Sequence, residues 1–218
     1  MEGELFEQAA TLFAEKGFAG TTLQDIANAM GLSRPSLYHY IQSKDELLER
    51  LVEDVTAAAA ELVTAVADDV TLTADEKVRQ TVRGMVELIA EQPSRFRLLA
   101  QSETAMPAEL ARKQARLRRQ VLAALVGIID EGKQAGMFRP VDSRVAAFGV
   151  IGTWNWVAWW YRRGDRGEIA EQLADTAVHG LLADRPGSTP ATSPEELLGL
   201  VREDLSRLEA VIKRERPS

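Results

Sequence analysis

An all-α fold is predicted by two observations. Apolar residues recur at three- and four-residue spacing along most of the chain, and behind residue 43 no run alternates at period two. Helix-start pairs also recur: Thr22 with Asp25, Ser43 with Glu46, and Thr73 with Glu76. The 218 residues are enough for one large domain or two small ones with a real core.

Thr22 is a good N-cap, and Asp25 can complete a short capping box. Leu23, Ile26, Ala27 and Met30 then fall on one helical face. Gly31 supplies the left-handed residue that ends this helix. Ser33 caps a second short helix, expected over 34–40, with Pro35 in its first turn, where the missing N–H costs nothing. Leu37 and Ile41 hold it to the core, which leaves Arg34, Ser36, Tyr38, His39 and Tyr40 to project outward. Two short helices around a glycine turn, followed by a third helix, form the layout of a DNA-binding helix-turn-helix.

Ser43 and Glu46 open the third helix, with Lys44 in its first turn. A cation is disfavoured at that positive end of the helix dipole. A phosphate lying against Lys44 would explain it. The helix continues through the Ala-rich stretch 57–67.

Further helices follow. Thr73 and Glu76 open one that runs to about Glu91, and Pro93 starts a short one through Leu99. Pro107 starts a long one to Ala135, stopped by Gly136; at ~1.5 Å per residue it spans about 40 Å. Asp142 caps a helix to about Tyr161, and another is expected from about Gly167 to Leu182. Residues 184–193 are a linker by composition. Beyond them Leu197, Val201, Leu205, Leu208 and Ile212 make one apolar stripe on a C-terminal helix over 194–218.

Composition excludes several classes. There is no cysteine, so disulfides, Cys-ligated zinc and thiol catalysis are out. The only histidines are His39 and His179, too few for a His-based metal site. No nucleophile–base pair, phosphate loop or metal spacing appears, so an enzyme is not expected, no catalytic residue is assigned, and no cofactor is implied. No apolar run reaches membrane-spanning length, and the start Met1-Glu2-Gly3-Glu4 does not read as a signal peptide. A cytoplasmic protein without membrane partner or metal is the expectation.

The charge balance runs against the DNA reading. Residues 1–54 carry four cations, Lys16, Arg34, Lys44 and Arg50, against ten carboxylates, a net of −6 out of −7 for the whole chain. A DNA binder usually shows a basic footprint. Few phosphate contacts and a shallow salt dependence are therefore expected, with selectivity carried by the helix in the groove.

Residues 4–51 resemble the N-terminal domain of TetR-type repressors. The resemblance runs through Phe13-Ala14-Glu15-Lys16-Gly17-Phe18, Thr21 to Ala27, Gly31-Leu32-Ser33, and Leu37 to Leu47 with its Ser43-Lys44 pair. It implies a homodimer on double-stranded operator DNA. The DNA-binding domain would occupy 1–48, and a helical ligand-binding and dimerisation domain 49–183. The DNA-facing set would be Thr22, Ser33, Arg34, Pro35, Ser36, Tyr38, His39, Tyr40 and Lys44. In that set Arg34 and Ser36 reach base edges, the Pro35 ring touches a thymine methyl, and Thr22, Tyr38, His39 and Lys44 hold phosphates. The resemblance also implies that the helices over 142–161 and 167–182 pair with their symmetry mates, with Ala146, Ala147, Ala170, Ala174, Ala177 and Gly180 allowing close approach.

Two features behind the head bear on the effector. All four Trp lie within the seven residues 154–160. Core or dimer packing is the plainer reading of most of these rings. The other is a pocket wall, with Asn155 as a buried polar handle. Gly152, Asn155 and Trp156 resemble part of a signature found in a TetR branch that controls fatty-acid or steroid catabolism and answers to acyl-CoA thioesters. The second feature is the run Arg112 to Arg119, five cations in eight residues. A solvated face is its plainer reading, but Arg112, Arg116 and Arg119 share a helix face and suit CoA phosphates.

The expected effector site is therefore Phe96, Leu99, Leu122, Trp154, Asn155 and Trp156 around an acyl group, with the three arginines at its mouth. Two alternatives stay open: a repressor sensing a neutral or cationic hydrophobic compound at an efflux gene, and a dimeric DNA-binding protein with no ligand. His179 reads as a packed histidine at a close helix contact rather than a pH sensor.

Overall fold

The computed structural model describes residues 2–102, 106–162 and 164–183. The expected linker and C-terminal helix lie outside the described residues. Ten helices are present among them: α1 Glu2–Lys16, α2 Leu23–Ala29, α3 Arg34–Tyr38, α4 Lys44–Asp68, α5 Ala74–Glu91, α6 Pro93–Gln101, α7 Ala108–Gln134, α8 Ser143–Asn155, α9 Val157–Trp160 and α10 Arg166–Leu181. Pairing between extended residues is limited, among those described, to one isolated bridge, Phe138 with Leu182. No described helix is long and apolar enough to cross a membrane.

Most helix starts are set by local chemistry. Thr22 accepts from the Asp25 N–H, and the Asp25 carboxylate accepts from the Thr22 N–H at 2.8 Å. Ser33 caps α3 through the Ser36 N–H, and Ser43 caps α4 through the Glu46 N–H. Asp142 and Asp165 do the same for α8 and α10. Gly17, Gly31 and Gly136 take the left-handed conformation, with φ of 77°, 64° and 69°, just past α1, α2 and α7.

Two elements depart from expectation. α3 ends at Tyr38, so His39 and Tyr40 belong to the turn after it. The helix expected from Asp142 to Tyr161 breaks at Trp156, with α8 before it and the one-turn α9 after it. No glycine or proline marks this break. Trp154, Val157 and Ala158 are all buried, and the Trp156 and Trp159 rings stack tilted, 5.2 Å apart, on the outside.

The apolar residues gather into two cores. The head core joins α1, α2, α3 and the start of α4 through Leu5, Phe13, Ile26, Leu37, Leu47 and Leu51, and it also takes in Leu98 of α6 and Leu110 of α7. The rear core is built on α5, α7, α8 and α10 around Val82, Val86, Leu125, Ile129 and Trp154. α10 packs along α5, and α7 along α4. Ala147, Ala170, Ala174 and Ala177 are buried inside this packing. They pack within the chain, while Ala146 of the same expected set is half-buried and Gly180 exposed. Gly132 makes room for the Phe138 ring: a Cβ there would lie 2.2 Å from Phe138 Cδ2.

Candidate nucleic-acid interface and effector site

α3 is anchored by one residue and exposed around it. Leu37 is fully buried in the head core, while Arg34, Pro35, Tyr38 and His39 are exposed and Ser36 is half-buried. Arg34 Nη2 donates to Tyr38 Oη at 3.2 Å, and its guanidinium lies 5.7 Å from the Tyr38 ring centre. That contact holds both long side chains on one face of the helix. Ser33 and Ser36 hydroxyls pair at 2.8 Å. The capping bonds around Thr22 hold the Asp25 carboxyl below its ordinary value, the Thr22 hydroxyl being the larger cause and its N–H the second.

Two residues of the expected DNA-facing set are turned inward. Tyr40 is half-buried against the head core, because the helix has already ended and the chain is folding back toward Ile41. Lys44 Nζ donates to the carbonyls of Phe18 at 2.8 Å and Thr21 at 2.9 Å, and lies 4.3 Å from the Phe18 ring centre. A lysine in the first turn of α4 thus has a structural reason: it ties down the loop between α1 and α2. Two of its three hydrogens are used there.

Among the expected effector residues, Trp154 is buried in the rear core, and Phe96 and Leu122 are half-buried at its edge. Leu99 packs instead against the head core. Asn155 is exposed, so the expectation of a buried polar handle is corrected. Trp156 is 65% exposed and does not share the surroundings of Trp154. Both residues sit at the break after α8, which turns them out.

The arginine row is also placed differently from the expectation. Arg112, Arg116 and Arg119 are exposed on the outer side of α7, whose inner side carries Leu110, Gln114 and Leu125. Residues two apart on a helix lie about 200° around it, so Arg112 and Arg116 flank a buried Gln114 from behind. His179 is likewise exposed, with Nδ1 2.8 Å from the Asp175 carbonyl.

Sequence reasoning missed three further features. A cleft of about 630 Å³ is lined by Ala90, Glu91, Pro93, Tyr161, Gly164 and Arg166, with Arg166 paired to Glu91 at 3.4 Å. Buried Lys77 is paired with Glu131 at 2.8 Å, joining α5 to α7. Gln114 is buried with neither side-chain polar atom bonded, and so is the Thr81 hydroxyl.

The comparisons with known proteins match both halves. Residues 5–51 match the family model for bacterial regulatory proteins of the tetR family. Residues 71–181 match the tetracyclin repressor-like C-terminal domain. The chain belongs to the TetR family. Its TetR-family relatives include the HTH-type transcriptional repressor KstR2 of Rhodococcus jostii, 30% identical over 191 residues that cover 82% of this chain and 89% of that one. The solved structure of the ketosteroid transcriptional regulator KstR2 of Mycobacterium tuberculosis superposes with a TM-score of 0.75 at 25% identity, over 84% of this chain and 95% of that one. AibR, solved in complex with isovaleryl coenzyme A and operator DNA, has a TM-score of 0.68 at 26% identity, over 83% of this chain and 97% of that one. The curated relatives named KstR2 and IcaR are transcriptional regulators.

Proposed function

We propose that this TetR-family regulator is a ligand-responsive repressor that binds a pseudo-palindromic operator as a dimer and is released by an acyl-CoA thioester. The observation that carries the DNA half is α3: a helix pinned by Leu37, with Arg34, Pro35, Tyr38 and His39 exposed on it. Two such helices about one turn of DNA apart, roughly 34–36 Å, would read two half-sites. Residues 1–48 would form the DNA-binding part, and 49–183 the sensing and dimerising part.

The dimer half rests on an exposed apolar face. Val145 is 70% exposed and Phe148 52%, and Trp156, Trp159 and Trp160 lie on the outside as well. Large apolar side chains left exposed in this number on and between α8 and α9 suit a partner surface. With half-buried Ala146 and exposed Gly180 they would form the contact, the four buried alanines standing behind them.

The effector class is supported by the relatives: KstR2 is a repressor, and AibR was solved with isovaleryl coenzyme A. The acyl part would lie against the rear core, on the side that Phe96 and Leu122 border. The outward arginine row favours a second reading, a repressor that senses a neutral or cationic hydrophobic compound. Filling the site in either case would shift the spacing of the two heads.

Selection of bound sequences from random DNA tests the docking. The expected result is an inverted repeat with half-sites one turn apart. An unrepeated site, or no enrichment, would overturn it.

A further inference from the structure

We infer that Gln114 is the polar anchor of the effector site, its carboxamide N–H donating to the carbonyl oxygen of the bound thioester. The inference rests on the acyl-CoA reading above. Gln114 is 0% exposed, and neither Nε2 nor Oε1 has a hydrogen-bond partner among the described residues. Buried side-chain amides are almost always bonded, because leaving one unpaired is costly. Its neighbour Lys113 is paired outward to Glu53 of α4, so at this level α7 is fixed against α4 while Gln114 points inward.

Its place along the helices is what joins it to function. On α7 it lies one turn after Leu110, which packs in the head core, and about two turns before Val121, which packs against the rear core. On α4 the corresponding stretch is Val55, Thr56 and Ala60, buried between Val52 of the head core and Val63 of the rear core. The Thr56 hydroxyl donates its hydrogen to the Val52 carbonyl, at 2.8 Å, and makes no hydrogen bond with Gln114. The carboxamide therefore stands at the seam between the two cores. An acyl group seated near Phe96 and Leu122 in the rear core would bring its polar end to this seam. A thioester supplies a carbonyl acceptor there and no competing donor.

The test is a cycle of two proteins and two ligand classes. Operator release by the wild type and by Gln114→Met is titrated with isovaleryl-, octanoyl- and palmitoyl-CoA, and with the S-alkyl-CoA thioethers that lack the carbonyl. In the wild type the thioester should act at about tenfold lower concentration than the thioether. In Gln114→Met that difference should vanish, while the ligand-free variant melts about 2–4 °C higher, since an unpaired buried amide has been removed. The ¹⁵N side-chain amide signal lost in Gln114→Met should shift in the wild type when the thioester is added. If the variant still prefers thioester to thioether as strongly as the wild type, the inference is wrong and the acyl-CoA reading stands. If no acyl-CoA releases the wild type, both fall.

Discussion

Arg95 Nε lies 2.8 Å from Glu7 Oε1, tying α6 to α1. A second contact reaches Asp54 of α4 at 3.5 Å. Arg95 is only 12% exposed, so this guanidinium joins three helices from a largely dry position. The same helix carries Phe96 into the rear core and Leu98 into the head core. α6 thus touches both cores and is held to α1.

Arg95→Ala should therefore act twice. Loss of these two ion pairs is expected to lower stability by about 1 kcal/mol, since Glu7 and Asp54 are largely exposed and Arg95 Nε makes no aligned hydrogen bond. It should also reduce the factor by which effector weakens operator binding, more than it changes effector affinity itself. Urea unfolding measures the first effect, and operator titrations with and without effector measure the second. Unchanged coupling would remove α6 from the path between the sites.

Lys44 gives a prediction with two readouts. Lys44→Ala frees the Phe18 and Thr21 carbonyls and the loop they belong to, so the urea midpoint should fall. Binding to operator and to random DNA should weaken by a similar factor, as expected for a residue that holds no base. A variant as stable as the wild type would contradict the inward clamp.

The end of α7 gives a pH prediction. The Asp130 carboxylate accepts from Ser143 Oγ at 2.5 Å and from Lys133 Nζ at 3.3 Å, and these bonds, Ser143 first, hold its pKa below the ordinary value. A carboxyl depressed in the folded state stabilises fully above its unfolded value, about pH 4, and that contribution is lost as pH falls through the depressed value. Asp130→Asn should therefore be less stable than the wild type at pH 7, and the gap should narrow below about pH 4. Thermal melts of both proteins at several pH values check this. A gap independent of pH would show that the carboxylate charge is not what matters.

Much of the fold was legible because helix starts are local. Thr22, Ser33, Ser43 and Asp142 each cap a helix with a bond to a neighbour three residues away, so sequence and structure carry the same information there. Asp165 escaped notice although it caps α10 by the same rule. The break at Trp156 was not legible, because tertiary packing of Trp154, Val157 and Ala158 sets it and no breaker residue stands there.

The DNA-facing helix was largely readable, since a single anchor, Leu37, decides which residues point out. The effector residues were less so. Periodicity told that Arg112, Arg116 and Arg119 share a face but not that this face looks away from the core. Gln114, in the midst of five cations, read as surface, and only the packing of α7 on α4 buries it.

The most direct test of the repressor account is a titration of effector against operator-bound protein, followed by fluorescence anisotropy of labelled operator DNA. A medium- or long-chain acyl-CoA should release the DNA at micromolar concentration, while the matched free acid and free coenzyme A should not. Release by the free acid or by a neutral hydrophobic compound, with no response to any acyl-CoA, would contradict the acyl-CoA reading and favour the second one.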